Sequence, residues 1–480
     1  MTHNIHSWLL SGAVWISLSA TAAEPLSLDE ALDGFESEPE LIEDELESLL
    51  DGFDEESEAL TAEDAPQGDD EHAASIFGSL RGHWVNGASW GFAHTAPTQN
   101  RPDYREISRL SSKLWLELEA PLNRGWKLHA DGYLRRDFAY QLQGSPQYPQ
   151  AVLDRYQQDE ELGELWLSGS LHPDLDLKLG RQIVVWGQSD YLRVNDTLNP
   201  LDMREPGLGE METLRRPLGM LRGDYYQGPW SITLLAIPEQ RPNLTAPCGG
   251  EFSATGPRSE VECAALAMGE QFPEDGSAEM EWGLSAMGRF SGWDLSLYGA
   301  RINHDIPYQD LSSNQLRYAR LNQLGAALSI ADGSWLWKGE LGWFDGLDYT
   351  QRKGLSRLDL LAGGEYRGFD EMALSLELLH RRIGGYQSGL SAAPDYLQQQ
   401  SWQAALAIQQ DLYNDTLHLK GVAVRSGSSF NEGGYSRFSA EYELDDHWSA
   451  TTGGIWYHTA ATPPDWGAND RLFFELRQDF

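Results

Sequence analysis

Three scarcities in this 480-residue sequence each exclude a class of protein. Basic residues are few: 35 Lys+Arg stand against 74 Asp+Glu, for a formal net charge of -39, and so acidic a chain is not suited to bind nucleic acid phosphates. Two cysteines are too few for a multi-bridge disulfide scaffold or a cysteine-rich metal site. Outside residues 8–18 no apolar run approaches the roughly 18 residues that a transmembrane helix needs.

Other residue types are plentiful. Aromatic residues make up 11% of the chain, with 18 Trp and 19 Tyr, and there are 48 Gly. A sequence without spanning helices that is rich in Trp, Tyr and Gly is typical of a membrane β-barrel.

The amino terminus has the pattern of an export signal. Trp8 to Leu18 is apolar, and the small residues of 20–23 follow at the positions where a signal peptidase cuts. Residues 2–7 contain no Lys or Arg, which departs from the usual signal pattern. A membrane anchor is the alternative, but about 11 apolar residues are too few to span a bilayer. We predict a signal peptide over residues 1–22.

An acidic tail is predicted over residues 23–75. From Glu24 to His72 there are 21 acidic and no basic residues. The rest of the chain contains the other 53 acidic residues and all 35 basic residues. Self-repulsion of such a run opposes collapse, so we predict a disordered tail in the periplasm.

The tail contains the motif Leu-x-x-x-Leu-Asp-Gly-Phe twice, at 28–35 and 46–53. Each copy is too short for a stable isolated helix, which favours folding on a partner's groove. The alternative is a solvated spacer with incidental leucines. The predicted docking residues are Leu28, Leu32, Gly34, Phe35, Leu46, Leu50, Gly52 and Phe53.

Residues 76–480 alternate between apolar and polar side chains, as in 114–118 and 374–378. Eight short turns and nine longer polar loops separate these segments, which predicts an all-β fold, a transmembrane antiparallel barrel of about 18 strands. An error of one hairpin would give 16. An even strand count puts both termini at the same side, predicted to be the periplasm. A soluble β-sandwich or propeller is the alternative.

Residues 187–216 follow a strand and are irregular and rich in charge, so they cannot face lipid. We predict that they fold into the lumen and form the pore constriction. The alternative is that their ion pairs only hold the loop to the wall, although a loop so held would still narrow the pore. The predicted constriction residues are Arg181, Trp186, Arg193, Asp196, Asn199, Asp202, Arg204, Glu205, Arg215 and Arg216.

Cys248 and Cys263 lie in the longest predicted outer loop. In an oxidising compartment they are expected to form a disulfide. A two-cysteine metal site is the alternative, but that loop has no His. The remaining histidines are scattered and form no His-Glu-x-x-His pattern, so we expect neither a metal nor a cofactor, and no enzymatic activity.

Two resemblances extend this interpretation. The carboxy-terminal segment ending at Phe480 resembles the signal read by the bacterial barrel-assembly machinery, with Gln478 as a departure. The run from Gly180 through Asp202 to Tyr226, with the start of the tail, resembles a proteobacterial outer-membrane family filed as a domain of unknown function. That family implies a β-barrel encoded near RND-type exporters and a periplasmic or outer-membrane lipoprotein, and traffic of a lipid or other hydrophobic compound.

The sequence therefore predicts a channel or transport protein in the outer membrane of a Gram-negative bacterium. Its expected partners are outer-membrane lipids, the barrel-assembly machinery, a periplasmic lipoprotein and an RND-type exporter. Two alternatives stay open: a non-conducting scaffold barrel that recruits periplasmic partners, and an outer-membrane barrel hydrolase.

Overall fold

A computed structural model describes residues 79–98 and 100–480 of the chain. The predicted signal peptide, the acidic tail and both motif copies lie outside the described residues, so these expectations stay predictions.

Eighteen strands form one antiparallel sheet that closes on itself. They are β1 Ser79–Gly91, β2 Glu106–Pro121, β3 Lys127–Asp137, β4 Gln158–His172, β5 Leu175–Gln182, β6 Leu218–Gln227, β7 Trp230–Ile237, β8 Glu281–Phe290, β9 Trp293–Asn303, β10 Arg320–Asp332, β11 Trp335–Leu347, β12 Leu355–Phe369, β13 Met372–Gly384, β14 Gln400–Leu412, β15 Leu417–Gly427, β16 Gly434–Asp445, β17 Trp448–His458 and β18 Arg471–Asp479. Strand β1 pairs with both β2 and β18, so the sheet has no free edge. The prediction of an 18-stranded barrel is confirmed.

Small elements lie in the loops. Four short helices are α1 Ala139–Leu142, α2 Gln150–Tyr156, α3 Met211–Leu214 and α4 Glu260–Leu266. The 3₁₀ turns are Asn123–Gly125, Ser145–Gln147 and Ser388–Ser391, and the short strands are Asp202–Met203, Leu244–Thr245, Gly269–Gln271, Tyr308–Asp310 and Gln315–Arg317. Within the described ranges, no helix has the length and apolar character needed to cross a membrane.

Alternation along each strand assigns the two faces of the wall. In β14, Trp402, Leu406 and Ile408 point outward and are exposed, whereas Ala405 and Ala407 point inward and are buried. Because successive side chains of a strand point to opposite faces, this pattern gives an apolar exterior and a mixed interior, as in outer-membrane barrels.

Exposed aromatic side chains form two belts around the exterior. One belt lies near the long-loop end, where the nine long connections emerge, and the other near the short-turn end, where the eight turns lie. The first contains Trp90, Trp282, Trp343, Trp402 and Trp456, and the second Tyr226, Trp293, Trp335, Phe369 and Tyr442. Two aromatic girdles flanking an apolar band mark the interfaces of a membrane barrel, so the fold is that of an outer-membrane β-barrel.

The last residue completes the seam between the first and last strands. Gly82 and Phe480 exchange two backbone hydrogen bonds, of 2.9 and 3.0 Å. The Phe480 ring covers Gly82, where a Cβ atom would come within 2.8 Å of the ring. Phe480 thus helps to close the barrel, and its part in assembly stays a prediction.

Replacing Leu406 at the middle of β14 by Arg should destabilise the barrel by about 2–4 kcal/mol, because a guanidinium would be placed in the bilayer core. Equilibrium unfolding by urea in phospholipid vesicles measures this change. Gln409→Arg is the control, because Gln409 lies on the inward face of the same strand and its variant should unfold close to the wild-type midpoint. Equal losses for the two variants would contradict the assignment of faces.

Candidate functional site

The chain leaves the wall after Gln182 and rejoins it at Leu218, and the residues between run through the interior. We refer to residues 183–217 as the inner segment. Its buried apolar side chains are Val184, Trp186, Leu192, Val194, Leu198 and Leu201. In a water-filled pore these apolar side chains would contact water. Because they are buried instead, the inner segment is packed like a protein core.

Two apolar clusters attach the inner segment to one side of the barrel. Trp186 stacks on Tyr298 of β9 with ring centroids 5.0 Å apart, within a cluster that includes residues of β6, β7 and β9 to β13. Leu192 and Val194 pack against Leu379 of β13 and neighbours on β12 and β14. The inner segment therefore fills the side of the lumen formed by β6 to β14.

A single wall carboxylate holds the middle of the inner segment. Glu340 of β11 is buried, and its carboxylate accepts hydrogen bonds from the backbone N–H groups of Gln188 at 2.6 Å and Ser189 at 2.8 Å. It also accepts from the backbone N–H of Asn195 at 3.3 Å and from its side-chain amide at 2.9 Å. Irregular backbone needs such acceptors when it is buried away from water.

A second wall carboxylate binds the backbone of the residues that follow Ser189. Glu377 of β13 accepts from the backbone N–H groups of Asp190 at 2.7 Å, Tyr191 at 3.2 Å and Leu192 at 2.9 Å. Both glutamates interrupt apolar strand sequences at inward positions. That signal is present in the sequence, yet neither glutamate is among the predicted site residues.

Several predicted constriction residues make structural contacts rather than lining open space. Asp196 accepts from Arg193 at 3.1 Å and from Arg215 at 2.9 Å. Asn199 is fully buried, accepts from the backbone N–H of Val184 at 2.8 Å, and donates to backbone carbonyls. These contacts stabilise the inner segment internally.

Two further predicted residues, Arg181 and Arg216, bind loop or wall carboxylates. Arg181 pairs with Glu239. Arg216 and Arg241 share Glu161 at 3.2 and 2.6 Å. Like Trp186, these side chains border neither of the two lumen cavities described below.

Three of the predicted residues border a lumen cavity, namely Asp202, Arg204 and Glu205. Arg204 is buried, donates to Asp202 at 2.6 Å and to Asp159 of β4 at 2.8 Å, and is fixed by them. Burial raises the pKa of Glu205, but the charges of Arg109 and Arg135 outweigh it and lower that pKa to about 2. Glu205 is therefore an anion at neutral pH.

Two cavities flank residues 202–214 inside the barrel. One, of about 560 Å3, lies towards β11 to β16, and the other, of about 490 Å3, lies towards β1 to β3 and β15 to β18. Both are bordered by Gly209, Glu210, Lys420 and Arg437. The inner segment thus bounds the free lumen on one side, and the opposite wall of the barrel bounds it on the other.

That opposite wall has an excess of basic side chains, although Glu441 and Glu475 also border the cavity. Lys113, Arg135 and Arg437 border the smaller cavity, and in the part of the chain that the structure describes none has a carboxylate oxygen within 4.0 Å. Arg109 lies 3.4 Å from Glu205 across the gap. None of Lys113, Arg135 and Arg437 is among the predicted site residues, because they come from β2, β3 and β16, which only the closed sheet brings together.

The longest loop, 238–280, spans the long-loop end of the barrel. The Glu251 carboxylate binds Arg471 at 2.5 Å and His94 at 2.8 Å, while Phe252 packs against Tyr457 and accepts a hydrogen bond from Trp466 on its carbonyl. The disulfide Cys248–Cys263 is present, as predicted. This loop covers part of the entrance on that side.

Comparisons with known proteins agree with the resemblance noted in the sequence. A family model described as a protein of unknown function, DUF1302, matches residues 86–480. A comparison with curated proteins gives no match.

Among solved structures, similar chains include OccAB2 of Acinetobacter baumannii, at 10% identity and a TM-score of 0.49, covering 85% of this chain and 99% of that one. OpdL of Pseudomonas aeruginosa has 13% identity and a TM-score of 0.48, with 84% and 98% covered. OmpT, an outer membrane protein of Vibrio cholerae, has 9% identity and a TM-score of 0.41, with 84% and 98% covered.

Replacing both Glu340 and Glu377 by Gln should release the inner segment, because each amide offers one fewer acceptor oxygen to the backbone N–H groups. A loss of roughly 2 kcal/mol would make amide hydrogen exchange in residues 188–195 about 30-fold faster. Hydrogen exchange followed by mass spectrometry measures this rate. Glu441→Gln, also on the lumen wall, should leave it unchanged, and unaltered exchange in the double variant would refute the role of the two carboxylates.

Proposed function

We propose that this chain, which belongs to the DUF1302 family of proteins of unknown function, forms a channel for amphiphilic anions across the outer membrane. The observation that carries this proposal is a set of cationic side chains that face the free lumen and have no carboxylate partner among the described residues. A charge removed from bulk water needs a counter-charge, and a passing anion supplies it.

The contrast with the rest of the chain strengthens the argument. The sequence has a net charge of -39, yet Lys113, Arg135 and Arg437 converge on one cavity without carboxylate partners among the described residues. Basic side chains outnumber acidic ones around that cavity, where Glu441 and Glu475 also lie, and such an excess of one charge concentrates ions of the opposite sign and speeds their entry. We therefore infer that the barrel prefers anions although the protein is acidic.

The larger cavity supports an apolar part in the solute. Among its lining side chains are Tyr191, Leu201, Met203, Leu336 and Tyr435, next to the ion pairs that Lys338 and Lys420 form with Asp190 and Glu210. Apolar surface beside a few charged groups is the usual composition of a small-molecule site. This fits the lipid or hydrophobic cargo that the family resemblance implies.

The proposed constriction is smaller than the sequence alone suggested. It comprises Asp202, Arg204 and Glu205 of the inner segment, facing Arg109 and its cationic neighbours. The other predicted residues, from Arg181 to Arg216, would then act by holding the inner segment in place. The proposal assigns no catalytic step to any of them.

A wider role in the cell envelope is also proposed. Residues 23–75 would dock a periplasmic partner through the two Leu-x-x-x-Leu-Asp-Gly-Phe copies, with both termini in the periplasm and an RND-type exporter as the source of energy. What supports this is the repeated motif and the family resemblance; the tail lies outside the described residues.

Neutralising the three cations by Lys113→Gln, Arg135→Gln and Arg437→Gln should lower the preference for anions. If the lumen attracts anions less strongly by only about 1.4 kcal/mol, the ratio of anion to cation permeability changes tenfold. The measurement is the reversal potential of the mature protein in a planar bilayer under a salt gradient. The control neutralises three loop arginines, Arg105, Arg317 and Arg352, which border neither cavity, and should leave the ratio unchanged.

Two results would count against the channel. A reversal potential that is the same in the triple variant and the wild type would remove the role of the cations. Complete absence of current in the wild type would favour the scaffold alternative, in which the barrel recruits periplasmic partners and conducts nothing.

Replacing Leu32, Phe35, Leu50 and Phe53 by Ser should abolish capture of the periplasmic partner while the barrel still inserts, because the apolar face of each motif copy would be lost. Crosslinking in isolated cell envelopes followed by mass spectrometry measures capture. The control replaces Glu38, Glu40, Glu55 and Glu56 by Gln, which keeps both motif copies. Equal crosslinking by both variants would contradict docking through the motif.

A further inference from the structure

We propose that Glu117 and Glu119 of β2 and His129 of β3 form a binding site for a divalent cation of the Zn2+ class, inside the barrel near the short-turn end. The three side chains face the lumen on adjacent strands, and each offers a ligand atom within 4.8 Å of the others. This site is separate from the cavities of the proposed channel and does not depend on that function.

The imidazole of His129 is the observation that points to a ligand. The side chain is only 8% exposed, and its Nδ1 atom is buried without a hydrogen-bond partner among the described residues. Nδ1 lies 3.7 Å from a carboxylate oxygen of Glu117 and 3.7 Å from one of Glu119. These separations are too long for hydrogen bonds.

The other ring nitrogen determines what Nδ1 presents. Nε2 lies 3.0 Å from the Asp131 carboxylate, and an ionised carboxylate can only accept, so Nε2 carries the hydrogen. In the neutral ring, Nδ1 then presents a lone pair towards two carboxylates. Three electron-rich atoms facing one another repel unless a cation lies between them.

The surrounding residues hold the ring in this orientation. The Asp131 carboxylate also accepts from the backbone N–H of Glu164 at 3.1 Å. The imidazole stacks on Trp166 with centroids 4.8 Å apart and planes 7° from parallel. A carboxylate that accepts from the distal N–H of a ligand histidine is the usual outer-sphere arrangement of zinc sites.

The distances suit a small cation with mixed nitrogen and oxygen ligands. Zn–N and Zn–O bonds of roughly 2.1 Å place tetrahedral ligand atoms about 3.4 Å apart, so the 3.7 Å separations need to shrink by only a few tenths of an ångström. One imidazole and two carboxylates favour Zn2+ over Ca2+, which takes oxygen ligands only. The fourth position would face the lumen and hold water.

Arg81 is the competitor at this site. Its guanidinium lies 3.4 Å from Glu117 and 3.8 Å from Glu119, and its side chain is 59% exposed. An exposed arginine can turn away into solvent at little cost. The site would therefore exchange Arg81 for the cation, and removal of Arg81 should tighten binding.

The test is titration of the purified mature protein with ZnCl2 in detergent, followed by isothermal titration calorimetry. We expect one equivalent bound, with affinity reduced at least tenfold by His129→Gln and increased by Arg81→Gln. His172→Gln is the matched control. His172 lies at the exposed end of β4, near Asp174, and its replacement should leave the affinity unchanged.

A milder variant guards against misfolding of the His129 variant. Asp131→Asn keeps the size of the side chain and should weaken binding by 10–100-fold through loss of orientation. Heat-dependent mobility on gels shows whether each barrel is folded. Binding that is unchanged in both variants, or only a weak background from the acidic tail common to all of them, would overturn the proposal.

Discussion

Backbone N–H and C=O groups cannot be left unpaired in a hydrocarbon layer, and the rest of this structure depends on that constraint. It requires the 18 strands to close through the β1–β18 pairing. It also forbids the 35 residues between β5 and β6 from facing lipid, because they are irregular. These residues lie in the lumen instead, and side chains of the barrel wall must supply their hydrogen bonds.

Glu340 and Glu377 supply many of them. Between them they accept six backbone N–H groups and one side-chain amide of the inner segment. Hydrogen bonds to a charged acceptor are stronger than neutral ones, so two wall residues fix a long irregular stretch. The buried cluster around Trp186 then makes the inner segment part of one side of the wall, and the free space is left beside the opposite side.

This asymmetry explains why the charge of the free lumen differs from that of the chain. The strands that the inner segment covers present apolar side chains and acceptor carboxylates inward, whereas β2, β3 and β16 present Lys113, Arg135 and Arg437. Further towards the short turns, the same β2 and β3 present Glu117, Glu119 and His129 instead. Two strands therefore carry two chemically distinct regions along their length, one suited to anions and one to a cation.

The sequence by itself determined the closed antiparallel barrel, the strand count to within one hairpin and the Cys248–Cys263 pairing, since alternation, turns and a single pair of cysteines are local or countable signals. It could mark Asp202, Arg204 and Glu205 as charged residues of an irregular stretch. Only the tertiary structure decided that Asn199 and Trp186 are packed inside that stretch. It also decided that Glu340, Glu377 and the cations Lys113, Arg135 and Arg437 face the lumen. The physical reason is that neighbours across a barrel are set by strand order and register: residues such as Arg135 and Arg437, about 300 positions apart, meet only when the sheet has closed.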